Sequence, residues 1–128
     1  MMNTIYKVQT DKSIFNAKND LVNNLKTIGF GVLFELNFKD KVEEKGFKLA
    51  NNFIMMDVCN PSTASEILTQ NIEMGYILPC KVVIYENNDQ RYVGLLKPTI
   101  MVDLISTEYR KIAQEIEEKM INAINLSA

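Results

Sequence analysis

Asp57, Cys59, Asn60 and Cys80 are the residues of this chain whose types and spacing could support chemistry. They fall within one stretch, DVCNPSTASEILTQNIEMGYILPC, which holds both cysteines, each close to a proline. A helix starting just after Cys59 would turn unpaired backbone N–H groups toward its sulfur, which favours a thiolate and lowers the thiol pKa. Asp57 shares a strand face with Cys59, so a carboxylate, a thiol and a helix N-terminus could form a small anion-binding or thiol-reactive pocket. The plainer reading turns Asp57 to solvent or pairs it with Lys81 across a strand ladder. Free cysteine also packs as a small hydrophobe. Packing, a ligand or thiol site, and a disulfide are therefore all open.

Much other chemistry is excluded. The chain has 0 histidines, which removes the Ser-His-Asp and Cys-His constellations and the usual general base near neutrality. Two cysteines cannot build a four-cysteine zinc site within one chain. Met55, Met56 and Cys59 offer soft sulfur suited to Cu(I), but strand alternation sends the two methionines to opposite faces. No phosphate-binding glycine loop is present, and the GFG at 29–31 is a helix stop followed by a strand start. No metal and no cofactor is expected.

The elements that must position these residues follow from periodicity. NTIYKVQ (3–9) reads as a short strand. Ser13 is an N-cap, Ile14, Ala17, Leu21, Leu25 and Ile28 recur at helical spacing, and Gly29 is the stop. GVLFELNFK alternates, placing Val32, Phe34, Leu36 and Phe38 on one face, and DKVEEKG follows as about two turns of polar helix. FIMMDVC (53–59) is a third strand, and Asn60 with Pro61 launches a helix to about Asn71. CKVVIYE and RYVGLLK bracket NNDQ, a connection suited to a β-hairpin. Pro98 opens the last helical region, where Tyr109, Ile112, Ala113, Ile116, Met120 and Ile124 form an apolar stripe.

The fold class is thus α+β: a single, mostly antiparallel sheet of about five strands with two principal helices on one face, in a β-α-β-(short α)-β-α-β-β-α order. Residues 1–128 form one domain by size. The topology leaves open whether the two thiols meet. If strands 53–59 and 80–86 are antiparallel neighbours, both sulfurs sit at one edge. If they are parallel neighbours, the sulfurs lie about 20 Å apart.

Composition is that of an ordinary soluble protein, 47% apolar and 23% charged. Fourteen basic and sixteen acidic side chains are interspersed and leave a net charge of −2. No basic stripe of the kind that binds nucleic acid is present, so no nucleic-acid partner is expected. MMNTIYKVQTDK lacks the pattern of a secretory signal, and no apolar run approaches the ~20 residues that cross a bilayer. A cytoplasmic protein with reduced thiols and no membrane partner is expected. Several strands, in VCNP, VVIY and VGLL, carry apolar residues on both faces. The face left by the helices must be buried, and symmetric pairing is the commonest solution, so a homodimer is expected.

Three segments, GFGVLFELNFKDKVEEKGF, DVCNPSTASEIL and GYILPCKVVIYE, resemble in order the signature segments of the bacterial and archaeal domain of unknown function 302 family. The resemblance covers about residues 4 to 124 and rests on Gly29, Phe30 and Gly31, then Cys59, Asn60 and Pro61, then Leu78, Pro79 and Cys80. DQRYVGLLKPTIM departs from the family's pattern. The resemblance implies a TATA-binding-protein-like α+β arrangement and dimers. It carries no DNA binding and no catalytic residues, since fold is poor evidence for function. The resulting expectation is a non-enzymatic dimeric module that binds a ligand or a protein, with Asp57, Cys59, Asn60 and Cys80 as candidate ligand residues. The competing expectation is a thiol-dependent enzyme or a redox or metal sensor built on Cys59.

Overall fold

Ser13 and Gly29 bound the first helix as their chemistry requires. The Ser13 hydroxyl accepts from the Asn16 N–H at 3.1 Å. At the other end Gly29 takes φ +86°, while the Phe30 N–H reaches the Leu25 carbonyl at 2.9 Å and the Gly29 N–H that of Lys26 at 3.1 Å. These paired bonds are a Schellman closure, and they satisfy carbonyls that a helix end leaves without partners. Helix α1 therefore spans Ile14–Thr27. The same closure recurs at Gly46, φ +85°, behind α2, Phe38–Glu44.

The computed structural model describes residues 3–128; Met1 and Met2, which open the N-terminal stretch read above for a secretion signal, lie outside them. Strands β1 (Ile5–Thr10), β2 (Gly31–Asn37), β3 (Phe53–Cys59), β4 (Cys80–Asn87) and β5 (Gln90–Leu96) form one sheet in the order β1-β5-β4-β3-β2. Every neighbouring pair is antiparallel. Helices α3 (Pro61–Gln70), α4 (Pro98–Asp103) and α5 (Arg110–Ser127) complete the α+β fold, with short 3-10 turns at Ile72–Tyr76 and Thr107–Tyr109. No helix among the described residues is long and apolar enough to cross a membrane.

Alternation sorts the sheet into two faces. Ile54, Met56 and Val58 of β3 with Val82 and Ile84 of β4 are buried against α1, through Leu21 and Leu25, and against α5, through Met120 and Ile124. Full burial of each such side chain contributes about 1.5–3 kcal/mol. Of the predicted C-terminal stripe, Tyr109, Ala113, Met120 and Ile124 are buried, whereas Ile112 and Ile116 are half-buried. Ala113 and Tyr109 belong to a second, smaller core with Ile67, Met74 and Val102. In that core α3, α4 and the 3-10 turns cap the first half of α5.

The β2 region differs from the sequence expectation in two ways. The ladder to β3 shifts register between Val32 and Phe34, so the extra residue Leu33 bulges out and Val32 no longer shares a face with Phe34 and Leu36. Val32 pairs with Val58 on the helix side, and Glu35 reaches back to Lys18 of α1 at 2.9 Å. Phe38 is not a strand residue either. The Asn37 side chain accepts from the Lys39 N–H at 3.2 Å, and that cap starts α2 at Phe38.

The β4–β5 connection is tighter than a four-residue loop. Asn88 and Asp89 alone make the turn, with φ of 52° and 62°. Two successive positive φ values define a type I′ turn, whose twist matches that of the flanking strands.

Candidate functional site

β3 and β4 run antiparallel with Val58 opposite Cys80, and this decides the topology left open by the sequence. Both thiols lie at the same edge of the sheet, one residue out of register, and both are free. Cys59, Asn60 and Cys80 line an apolar crevice of about 20 Å3, walled by Phe30, Ile67, Leu78 and Ile116. Asn60 caps α3, its Oδ1 accepting from the Thr63 N–H at 3.2 Å. Its side chain also packs against Gly29, where a Cβ would sit 3.1 Å from Nδ2. Gly29 and Asn60 thus fit each other, and the GF and CN segments meet in space.

The crevice suppresses thiolates. Burial pushes the Cys80 thiol up to about 11, with Cys59 beside it adding to the effect. Burial raises the Cys59 thiol as well. This corrects the expectation that the helix start lowers the Cys59 pKa. The Asn60 side chain already occupies the Thr63 N–H, and apolar walls remove the water that a thiolate needs. Asp57 is not part of the crevice. It lies on the opposite, helix-free face of the sheet, directly across from Lys81 and beside Phe34. The structure therefore brings together three of the four predicted residues and separates the carboxylate from the thiols. Asp57 and Lys81 form no ion pair among the described residues.

A second apolar cavity of about 50 Å3 lies between the small core and the sheet, lined by Met74, Cys80, Met101, Val102 and Ala113 among others. Its lining is apolar apart from the Cys80 thiol and Lys81.

The sheet face away from α1 and α5, helix-free except where Phe38 and Val42 of α2 flank one end of it, is the larger feature. Phe53 and Tyr85 stack at 5.0 Å, Tyr85 and Tyr92 at 5.4 Å, and Phe38 meets Phe53 edge-on at 5.8 Å. The Lys7 ammonium lies 5.0 Å over the Tyr92 ring. In the middle of this face Gly94 leaves a hollow of about 350 Å3 bordered by Ile5, Lys81, Val83, Tyr85 and Leu96. A Cβ at Gly94 would come within 3.3 Å of both the Tyr6 carbonyl and a Val83 methyl. Phe34 and Ile5 remain 51% and 54% exposed at the two ends. Sequence reasoning assigned apolar residues to both faces but missed the aromatic row, although the alternation of CKVVIYE and RYVGLLK carries it.

Residues 6–126 match the family model described as "Domain of unknown function DUF302". The crystal structure of an uncharacterised conserved DUF302 protein from Bacillus stearothermophilus superposes with a TM-score of 0.93 at 31% identity, covering 98% of each chain. No curated protein matches the chain.

Proposed function

Because this chain belongs to the DUF302 family, which has no assigned activity to transfer, we propose its role from its surfaces: it is a small non-enzymatic module that works as a homodimer through the helix-free face of its sheet. The observation that carries this reading is the aromatic and aliphatic sheet face, stacked through Phe53, Tyr85 and Tyr92, with Phe34 more than half exposed at its β2 border. Large exposed apolar patches mark interaction sites, and a face-to-face pair of sheets about 10 Å apart is a standard way to bury one. Lys81 and Asp57 sit on that face with opposite charges and no ion pair between them among the described residues. A surface carrying both signs suits a second copy of itself better than an acidic or a basic partner.

In this reading the sheet and its two main helices follow the TATA-binding-protein-like topology without its DNA binding, and the module works in the cytoplasm. A thiol activity at Cys59 has less support, because burial raises the pKa of both thiols rather than lowering it. Sedimentation equilibrium tests the reading. The expected result at micromolar concentration is twice the 14.7 kDa chain mass. A monomer persisting at tens of micromolar overturns it.

A further inference from the structure

The strand register fixes which side chains lie side by side on the helix-free face. One row across the sheet reads Tyr92, Tyr85, Phe53, from β5 to β3, with Phe38 at its end. The next reads Lys7, Gly94, Val83, Met55, Leu36, from β1 to β2. The third contains Lys81, Asp57, Phe34, with Leu96 beside Lys81 at the border of the hollow. From Leu96 to Phe34 this third row runs apolar, positive, negative, apolar, and so becomes its own complement when reversed.

Resting on the dimer reading above, we infer that the two copies pair about a two-fold axis parallel to the strands and running between β3 and β4. Such an axis lays β4 of one copy over β3 of the other, and β5 over β2. Lys81 then meets the second copy's Asp57, twice by symmetry. Val83 meets Met55, Tyr85 meets Phe53, and Leu36 sits over the hollow left by Gly94.

Alternative placements fail on charge. An axis along β4 sets Lys81 against Lys81, and one along β3 sets Asp57 against Asp57; like charges facing each other across an interface cost several kcal/mol. An axis running along the rows sets Asp57 against Phe53 and Lys81 against Tyr85, burying a carboxylate with no partner. The midline position also accounts for β1. That strand lies outside the four-strand overlap; it contributes Lys7 and Gln9 to this face, both exposed, and Ile5, which stays at the uncovered border. Lys7 already rests on the Tyr92 ring of its own chain.

Exchange of charge between chains tests the axis. Lys81→Asp and Asp57→Lys should each weaken self-association at least tenfold in sedimentation equilibrium, because each sets like charges across the two-fold. Mixing the two variant chains should restore a heterodimer within about threefold of wild-type affinity, since the carboxylate introduced at position 81 then faces the ammonium introduced at position 57. A change in the stability of either monomer cannot produce that rescue. As a readout independent of charge, Val83→Cys chains mixed with Met55→Cys chains should oxidise to a covalent heterodimer. A wild-type dimer that tolerates both charge variants, or whose mixed variants neither associate nor cross-link, overturns this axis and leaves the dimer reading standing. A monomeric wild-type chain overturns both.

Discussion

Gly29 and Asn60 show how a single pair of residues ties two segments together. Gly29 must hold φ +86° to close α1, and it must lack a Cβ to admit the Asn60 side chain. Gly29→Ala should therefore cost about 1–2 kcal/mol in chemical denaturation, from the positive φ and the lost fit together. Asn60→Ala should cost about 1 kcal/mol through the lost α3 cap. The thiols make a prediction of opposite character. Native Cys80 holds its proton to about 11, above an unfolded thiol near ~8.5. Its contribution to stability is then complete below the unfolded value and is lost as pH rises toward the folded one. Between roughly pH 8.5 and 11, wild-type stability should fall relative to Cys80→Ala by at most ~1.4 kcal/mol per pH unit; parallel curves would show that Cys80 does not titrate differently in the folded state. Iodoacetamide should modify Cys80 more slowly than Cys59, which is less buried in the crevice, and both more slowly than a free thiol at pH 8.

At the scale of elements, local sequence signals set most of the boundaries. Ser13, Asn60, Gly29 and Gly46 act where capping chemistry says they should. The β4–β5 turn has Asn88 and Asp89 both at positive φ, a conformation that glycine adopts without steric cost. Asp89→Gly should raise stability by about 0.5–1 kcal/mol, measured by thermal or urea unfolding. The β2 bulge was not legible in the same way. GVLFELN reads as an alternating strand with Leu33 on the polar face, and the extra residue shows only in the ladder, where Val32 pairs with Val58 and Phe34 with Asp57. A register shift is a bargain between two strands and a helix, so no window of one strand encodes it.

At the scale of the whole molecule, the described residues form two cores of unequal size. The sheet and the helices α1 and α5 share the larger one, and the cap around Ile67, Met74 and Val102 holds the smaller one over an apolar cavity of about 50 Å3. Fewer buried side chains mean a smaller free energy of local opening. Native-state hydrogen exchange should therefore find the amides of Ile67 and Met74 opening well below the global stability, and those of Met56 and Ile84 only near it. Leu21→Ala, at the centre of the larger core, should cost about 2–5 kcal/mol.

The order of the elements, the caps, the apolar face of α1 and the lack of histidine chemistry all come from local spacing and composition, which the chain carries wherever it folds. Which residues meet was settled elsewhere. Antiparallel pairing of β3 with β4 brought Cys59 to Cys80, the pairing of Asp57 with Lys81 left the carboxylate on the face away from Cys80, and burial in the crevice raised both thiols. Proximity and desolvation belong to pairs and surroundings of residues far apart in the chain, so only the assembled structure could assign them.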